Sequence, residues 1–511
     1  MPDMIRKHLR AKVRRAGLVT CCLLLPALAS CTSAARIRDA QLAARLEPIL
    51  HREDASGARV SARVIDLATG RELYADNIDA PVMPASNMKL ITAAVGLDLF
   101  GADHEFATYL AYDGENLWLE GTGDPAIGDA KIARQYGRTT TSVLADWAAE
   151  LKRRGLTSIP GGLRYYPYAL DNETIHPSWA HDDLVYWYAA PVSGLNFNDN
   201  CVDVTVFPTD DGAPAGYTLV PPVDAVSVVN ACTSGSDAPP TLDRLAHADV
   251  LVLGGGCTQR RALPSKPVTD PAAFFADALR VHLTSNGVAL GGGVQAEAEP
   301  LGGIMPPAED TIVAVHRSAM RDVLWRILKS SQNLFAECLC KLSGAAYLAK
   351  QGRTVPGSWA AGEAAARAFL RRQGIDDSAF VGADGSGLSR DNRVTVRIIS
   401  DVLAAMYHHP DGDAYRAALA EPGGEGTLRG RMRDLRGRVH AKTGYIRGVR
   451  ALSGYVQTRR GDWLCFSIIF NGIPGSVAPF NAIQDDVCRV LVDWPELLPQ
   501  ERPVATVKKS S

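Results

Sequence analysis

PVMPASNMKLITAAVGLDLFG, residues 81–101, sets Ser86 three positions ahead of Lys89 at the start of an apolar run that reads as a helix. Met88, Leu90, Ile91, Val95, Leu97, Leu99 and Phe100 leave almost no polar face, and only Lys89 and Asp98 carry charge. A helix that is apolar nearly all round belongs in a protein core, so Lys89 is expected where an ammonium is costly. Burial favours the neutral amine, and positions i and i+3 share a helix face. A buried lysine beside a hydroxyl can therefore take its proton. Ser86 reads in two ways. It is a helix cap bonding a free N–H of the first turn, with Lys89 reaching out to solvent, or it is a nucleophile with Lys89 as its base. Ser-x-x-Lys alone does not separate the two, because composition predicts about one such match in a chain of this length.

The rest of the chain sets the context. At 511 residues it is too long for one ordinary core and predicts two to four domains at roughly 100 to 200 residues each. Hydrophobic residues at 46% and charged residues at 22% describe a globular protein. The N-terminus differs. Arg6, Lys7, Arg10, Lys12, Arg14 and Arg15 lead into AGLVTCCLLLPALAS, a short apolar run laid out as an export signal and too short to span a bilayer. It ends in LASC, Leu28 to Cys31, which resembles a bacterial lipobox with Cys31 as the lipidated residue; plain cleavage nearby is the alternative. Removing this leader takes away six Lys/Arg and one acid, leaving 48 against 55, a net charge of −7. An acidic body argues against binding a phosphate backbone. Seven cysteines follow the leader, so at least one thiol stays free. Cys338, Cys340 and Cys465 read as small buried hydrophobes, while Cys232 and Cys257 could pair in an oxidising compartment.

Along the chain, RVSARVID (59–66) and RELY (71–74) flank the turn LATG, and the Ser86 helix follows. Near the other end GRVHAKTGY, RALSGYVQT and DWLCFSIIF read as three successive strands, followed by an amphipathic helix from Val477 to Trp494. Residues 108–311 between these ends are rich in strand and turn signals, and 316–408 are mostly helical, with Met320, Val323, Leu324, Ile327 and Leu328 on the helical period. The two ends can thus form one α/β domain interrupted by an insertion.

Two more short motifs bear on Ser86. SQN, Ser331 to Asn333, is the only Ser-x-Asn in the chain and lies between helical runs; KTG, Lys442 to Gly444, lies on an expected strand. Each has an ordinary reading as turn or hairpin residues. Together and in this order they match the Ser-x-x-Lys, Ser-x-Asn, Lys-Thr-Gly set of penicillin-recognising serine enzymes.

At this point the chain resembles the class C low-molecular-mass penicillin-binding proteins, the D-alanyl-D-alanine carboxypeptidases/endopeptidases of the penicillin-binding protein 4 type. LEGTGDPAIG (119–128), YAAPVSGLNFNDNCVDVTVFP (188–208), DGSGLSRDN (384–392) and GGEGTLRGRM (423–432) are similar to further signatures of that family. So is the spacing of 245 residues between Ser86 and Ser331, which a compact carboxypeptidase or β-lactamase would not have. The resemblance implies an α/β multidomain fold: a transpeptidase/β-lactamase-like domain (36–107 and 312–511), with an antiparallel sheet flanked by helices and an all-helical subdomain. A large strand-rich insertion would divide into 108–205 with 288–311 and 206–287, after a signal peptide at 1–30. It implies that Ser86 attacks the carbonyl between two D-alanines and Lys89 accepts its proton. Ser331 with Lys442 would pass a proton to the departing D-alanine, and Asn333 would orient the acyl chain. Lys442 and Thr443 would hold the terminal carboxylate, and the backbone N–H groups of Ser86 and Tyr445, beside Gly444, would form the oxyanion hole.

The same resemblance puts Asp183, Tyr188 and Arg390 near a pocket for a stem-peptide side chain, where an acid and an arginine suit a zwitterionic end. Arg447 departs from the neutral polar residue expected there. Peptidoglycan peptides and β-lactam antibiotics are the implied partners, with no nucleic acid, no cofactor, no metal, and an envelope or periplasmic location anchored through Cys31. A β-lactamase or esterase on the same fold, or an inactive cell-wall-binding lipoprotein, is the alternative. A Ser-His-Asp hydrolase is disfavoured by the absence of Gly-x-Ser-x-Gly, and HHPDGD (408–413) reads as a solvated loop and not a metal site.

Overall fold

A computed structural model describes residues 39–245, 247–297 and 308–495; the leader, Cys31 and the tail from 496 lie outside them. The two ends of the chain build one antiparallel sheet in the order Val439–Ile446, Val449–Gln457, Trp463–Asn471, Arg59–Asp66 and Arg71–Asp76. All of the strands expected from 59–74 and 437–471 are present. The central strands are apolar on both faces, as WLCFSIIF shows, because helices cover both sides. Toward one face Val60, Val64, Leu452 and Phe466 pack with Leu42 and Leu46 of a helix at 39–50 and with Ile483 and Val487 of the helix Ala478–Asp493. Toward the other, Ile65, Ala451, Tyr455 and Ile469 meet Leu90, Ile91 and Val95 of the helix Met88–Phe100, hereafter the serine helix.

Further helices surround the serine helix: Asn333–Ala349, Trp359–Arg372 and Val396–Tyr407. The first approaches so closely that a Cβ on Gly96 would sit 2.6 Å from Leu339 Cδ2. Of the stretch HHPDGD, residues 408–411 link the helices Val396–Tyr407 and Gly412–Ala417, and Gly412 and Asp413 open the second of them, not a wholly looped segment as expected.

A second five-stranded sheet runs Val294–Ala296, Leu163–Tyr166, Leu117–Gly121, Glu105–Tyr112 and Ile312–Ala319. Residues 108–311 are strand-rich but also hold the helices Ser142–Arg153 and Pro271–Ser285. Val143, Leu144, Trp147 and Leu151 supply an apolar stripe at helical spacing that the turn-rich flanks obscured. Trp147 stacks on Phe275, and Phe275 on Phe197 at 4.8 Å between ring centres. Smaller strand groups, centred on Cys201–Phe207 and on Val250–Gly254, complete the insertion. The pairing of Cys232 with Cys257 is not formed: both are buried free thiols, on segments whose strands pair with Thr233 opposite Gly256. Cys257 Sγ instead donates to the carbonyl of Gln259 at 3.2 Å.

Candidate active site

The sheet and the helices bring the three motifs into one place. Ser86 lies in a short helical turn, Ala85–Asn87, that leads straight into the serine helix. The cap reading fails: no side chain caps either start, and the bond found for the Ser86 hydroxyl is with Lys89. Ala85 holds a left-handed φ of 47°, a conformation in which non-glycine residues are strained and which gathers at functional sites. Lys89 does not reach solvent; it is completely buried. Its Nζ donates to Ser86 Oγ at 3.2 Å, to Asn333 Oδ1 at 2.6 Å and to the carbonyl of Ser386 at 2.8 Å.

The Ser-x-Asn motif follows a π-turn, Trp325–Lys329, an irregularity that frequently marks a working site. Ser331 then takes a left-handed φ of 63°, and Gln332 caps the next helix by accepting the N–H of Asn333 at 2.8 Å. Asn333 is thereby fixed at the first helical position. Its Oδ1 faces Lys89, and its Nδ2 donates to the carbonyl of Tyr188 at 2.7 Å.

Lys442 comes from the edge strand Val439–Ile446 and is also completely buried. Its Nζ donates to Ser331 Oγ and to the carbonyl of Thr443, both at 2.7 Å. The strand lies against the Ser86 turn: a Cβ on Gly444 would come within 3.0 Å of the Pro84 carbonyl, so a side chain there would push the two apart. Tyr445 is exposed at the mouth, its ring under the Arg450 guanidinium at 5.4 Å.

The structure thus joins Ser86, Lys89 and Asn333 directly, and Ser331 with Lys442. The four specificity candidates form two separate pairs: Tyr188 OH donates to Asp183 Oδ1 at 2.8 Å, and Arg390 Nη2 to the carbonyl of Arg447 at 3.0 Å. Burial pushes the Tyr188 hydroxyl's pKa up, with the bond to Asp183 adding to it.

Both lysines are driven toward the neutral form. Burial lowers Lys89 to about 8, against the pull of the Glu337 and Asp384 carboxylates. That is roughly 3 kcal/mol against the ammonium, which brings the neutral amine within reach near neutral pH. Burial lowers Lys442 well below the usual lysine range, and the neighbouring cations Lys89 and Arg450 add to it.

Two carboxylates at the back of the site escaped the sequence reading. Glu337 is fully buried one turn after Asn333 on the same helix, and Asp384 opens the segment DGSGLSRDN. The signal for Glu337 was present: an acid inside NLFAECLCKL, a helix apolar enough to be buried, needs partners. Among the described residues no cluster of three or more His, Cys, Asp or Glu is arranged to hold a metal ion.

Comparison with known proteins gives the family and the fold. The profile of the D-Ala-D-Ala carboxypeptidase 3 (S13) family matches residues 42–490. The chain is 32% identical to a D-alanyl-D-alanine carboxypeptidase of an Actinomadura species, over 94% of this chain and 90% of that one. It is 26% identical to the D-alanyl-D-alanine carboxypeptidase DacB of Haemophilus influenzae, over 76% and 81%. In fold it superposes on the crystal structure of penicillin binding protein 4 from H. influenzae with a TM-score of 0.71 at 23% identity, covering 88% of this chain and 99% of that one.

Proposed function

The chain belongs to the D-Ala-D-Ala carboxypeptidase 3 (S13) family, and from that membership we propose a serine peptidase that removes the terminal D-alanine of peptidoglycan stems through an acyl-enzyme on Ser86. The observation that carries this reading is the single lysine ammonium position shared by Ser86 Oγ, Asn333 Oδ1 and the Ser386 carbonyl. Neutral Lys89 accepts the proton of Ser86 as Oγ bonds to the carbonyl carbon between the two D-alanines. The N–H groups of Ser86 and Tyr445 take the developing oxyanion. The C–N bond then breaks, and the amine leaves with a proton delivered through Ser331 from Lys442, whose ammonium form the substrate carboxylate it holds favours. Water completes the cycle by attacking the ester carbonyl: its proton recharges Lys442, and the bond from carbon to Oγ breaks as Lys89 returns its proton to Ser86. Thr443 and Lys442 hold the terminal carboxylate, and Asn333 holds the acyl chain while its other amide end is tied to Tyr188.

β-Lactams mimic the scissile amide and acylate the same oxygen. A fluorescent penicillin is expected to label the tryptic peptide containing Ser86, and a Ser86→Ala variant is expected to carry none. Label on any other residue, or none on the wild-type protein, sinks the proposal. We extend it to the cutting of D-alanyl cross-links, where the leaving amine belongs to a second stem. Digestion of isolated peptidoglycan that leaves cross-links intact confines the enzyme to terminal D-alanine.

We propose that the two polar pairs, Asp183 with Tyr188 and Arg390 with Arg447, receive the ends of a zwitterionic stem-peptide side chain. We assign the inserted body to about residues 105–319, the extent of its sheet. The family is one of cell-wall peptidases, which fits an envelope location. Among the described residues no helix is long and apolar enough to cross a membrane, and the proposed anchor is a lipid on Cys31. A Cys31→Ala protein that sediments with membranes as well as the parent rules that anchor out.

A further inference from the structure

Three N–H groups converge on the buried carboxylate of Glu337. Gly385 N and Trp359 Nε1 donate to Oε2, each at 2.8 Å, and Ser386 N donates to Oε1 at 2.9 Å. A carboxylate is the only side chain that can accept all three, since a glutamine would turn its own NH2 against a donor. The segment it grips is the one that meets the serine helix: the Ser386 carbonyl accepts Lys89 Nζ at 2.8 Å, and the Gly385 carbonyl accepts Thr92 Oγ1 at 2.7 Å. Asp384 clamps the other side of the turn through the N–H groups of Gly387 at 2.7 Å and Ser389 at 2.6 Å. Gly387, at φ +83°, lies so close to Ala85 that a Cβ would meet its carbonyl oxygen at 1.9 Å.

We propose that Glu337 is a positioning residue for Lys89, holding the Ser386 carbonyl where it aims the lysine Nζ at Ser86 Oγ. The proposal rests on the reading of Lys89 as the base that activates Ser86. Glu337 touches neither Ser86 nor Lys89 through a hydrogen bond; it acts through the backbone between them. When ionised it also favours the ammonium of Lys89 and partly offsets burial, while burial and the Asp384 carboxylate push its own carboxyl up to about 7. The groups facing Glu337 are Asp384, Lys89 across the helix interface, and Cys338 and Cys340 on its own helix, with Lys341 one turn further along. Lys341 is already engaged by Asp171 Oδ1 and the Glu173 carbonyl, both at 2.6 Å. Lys89 is further faced by Lys442 from the sheet.

The test is the rate of acylation by a chromogenic β-lactam as a function of pH, measured per folded molecule. In Glu337→Gln the rate constant is expected to fall about tenfold. The midpoint of its acidic limb, where Lys89 gains its proton, is expected to move down by about one pH unit as the ammonium loses an acceptor and a nearby charge. A fall that is the same at every pH, or an unchanged profile, overturns the proposal; absence of acylation in the wild-type protein would instead overturn the reading on which it rests. If Glu337→Gln does not fold, Trp359→Phe decides. It removes one of the three donors, favours the neutral acid, and is expected to move the limb in the same direction by less; an unmoved limb overturns the proposal.

Discussion

Two buried lysines stand on opposite walls of one site, and their surroundings differ in sign. Lys89, on the serine helix, has two carboxylates behind it and bonds to Ser86, Asn333 and the Ser386 carbonyl. Lys442, on the sheet edge, has Ser331 and the Thr443 carbonyl, and the charges that act on it are the cations Lys89 and Arg450. Burial lowers both, but only Lys89 is held up, at about 8. A lysine near 8 can exchange a proton with a serine at neutral pH. A lysine with no counter-charge is a socket for an anion, and the terminal carboxylate of a D-Ala-D-Ala stem supplies one. Identical side chains thus take different parts through their neighbours: Lys89 activates the serine, and Lys442 captures the carboxylate and passes a proton through Ser331 to the departing amine.

The sharpest way to break this contrast is to remove each lysine in turn. Lys89→Ala is expected to lower the rate of acylation by penicillin by roughly a thousandfold or more, as loss of the activating base does. Lys442→Ala is expected to cost less, about a hundredfold, within the range of one general acid–base group. Equal losses in stopped-flow acylation would mean that the two lysines act as one unit. A smaller effect sharpens the second role. A stem peptide ending in a carboxamide is expected to lose about 30-fold or more in kcat/KM with the wild-type enzyme, because Lys442 is left buried without its anion. In the Lys442→Ala background the carboxamide and carboxylate peptides should differ little. If the penalty persists there, another group reads the carboxylate.

The contrast itself could not be read from the sequence, although its parts could. The serine helix announces a buried lysine because thirteen residues from Met88 to Phe100 carry so little charge, and the strands around KTG announce themselves by apolar runs between turn residues. Short motifs carry chemistry, so Ser86, Lys89, Ser331, Asn333 and Lys442 were nameable before any fold was known. What brings Glu337 and Asp384 behind Lys89 is tertiary: they stand 248 and 295 positions later in the chain, joined by a helix crossing at Gly96 and by backbone N–H groups that no side-chain pattern encodes. The Cys232–Cys257 pairing that the sequence allowed is not formed, for a related reason. Cysteine counting gives parity but not direction, and Cys257 turns toward the Gln259 carbonyl.

The smallest predicted effect lies between the two lysines, where the insertion holds the Ser-x-Asn motif. Asp199 sits among three consecutive residues with left-handed φ, Asn198 to Asn200. Its Oδ2 accepts from Arg326 Nη2 at 2.7 Å and from Gln332 Nε2 at 2.6 Å. Arg326 also serves Asp129 at 2.6 Å, so one cation answers two carboxylates. Burial and Asp129 push Asp199 up to about 8. An acid whose folded pKa is raised keeps a proton that the unfolded chain releases, so this group's contribution to stability is full near pH 4 and falls as pH rises toward 8. The side chain is 24% exposed, and water screens part of the charge. Asp199→Asn is therefore expected to flatten the fall in urea midpoint between pH 5 and pH 8 by the equivalent of about 1 kcal/mol. The acid limb of acylation should keep its midpoint, because Lys89 takes its charge environment from Glu337 and Asp384. A shifted limb in Asp199→Asn would move the origin of the lysine contrast from the two walls to the strut between them.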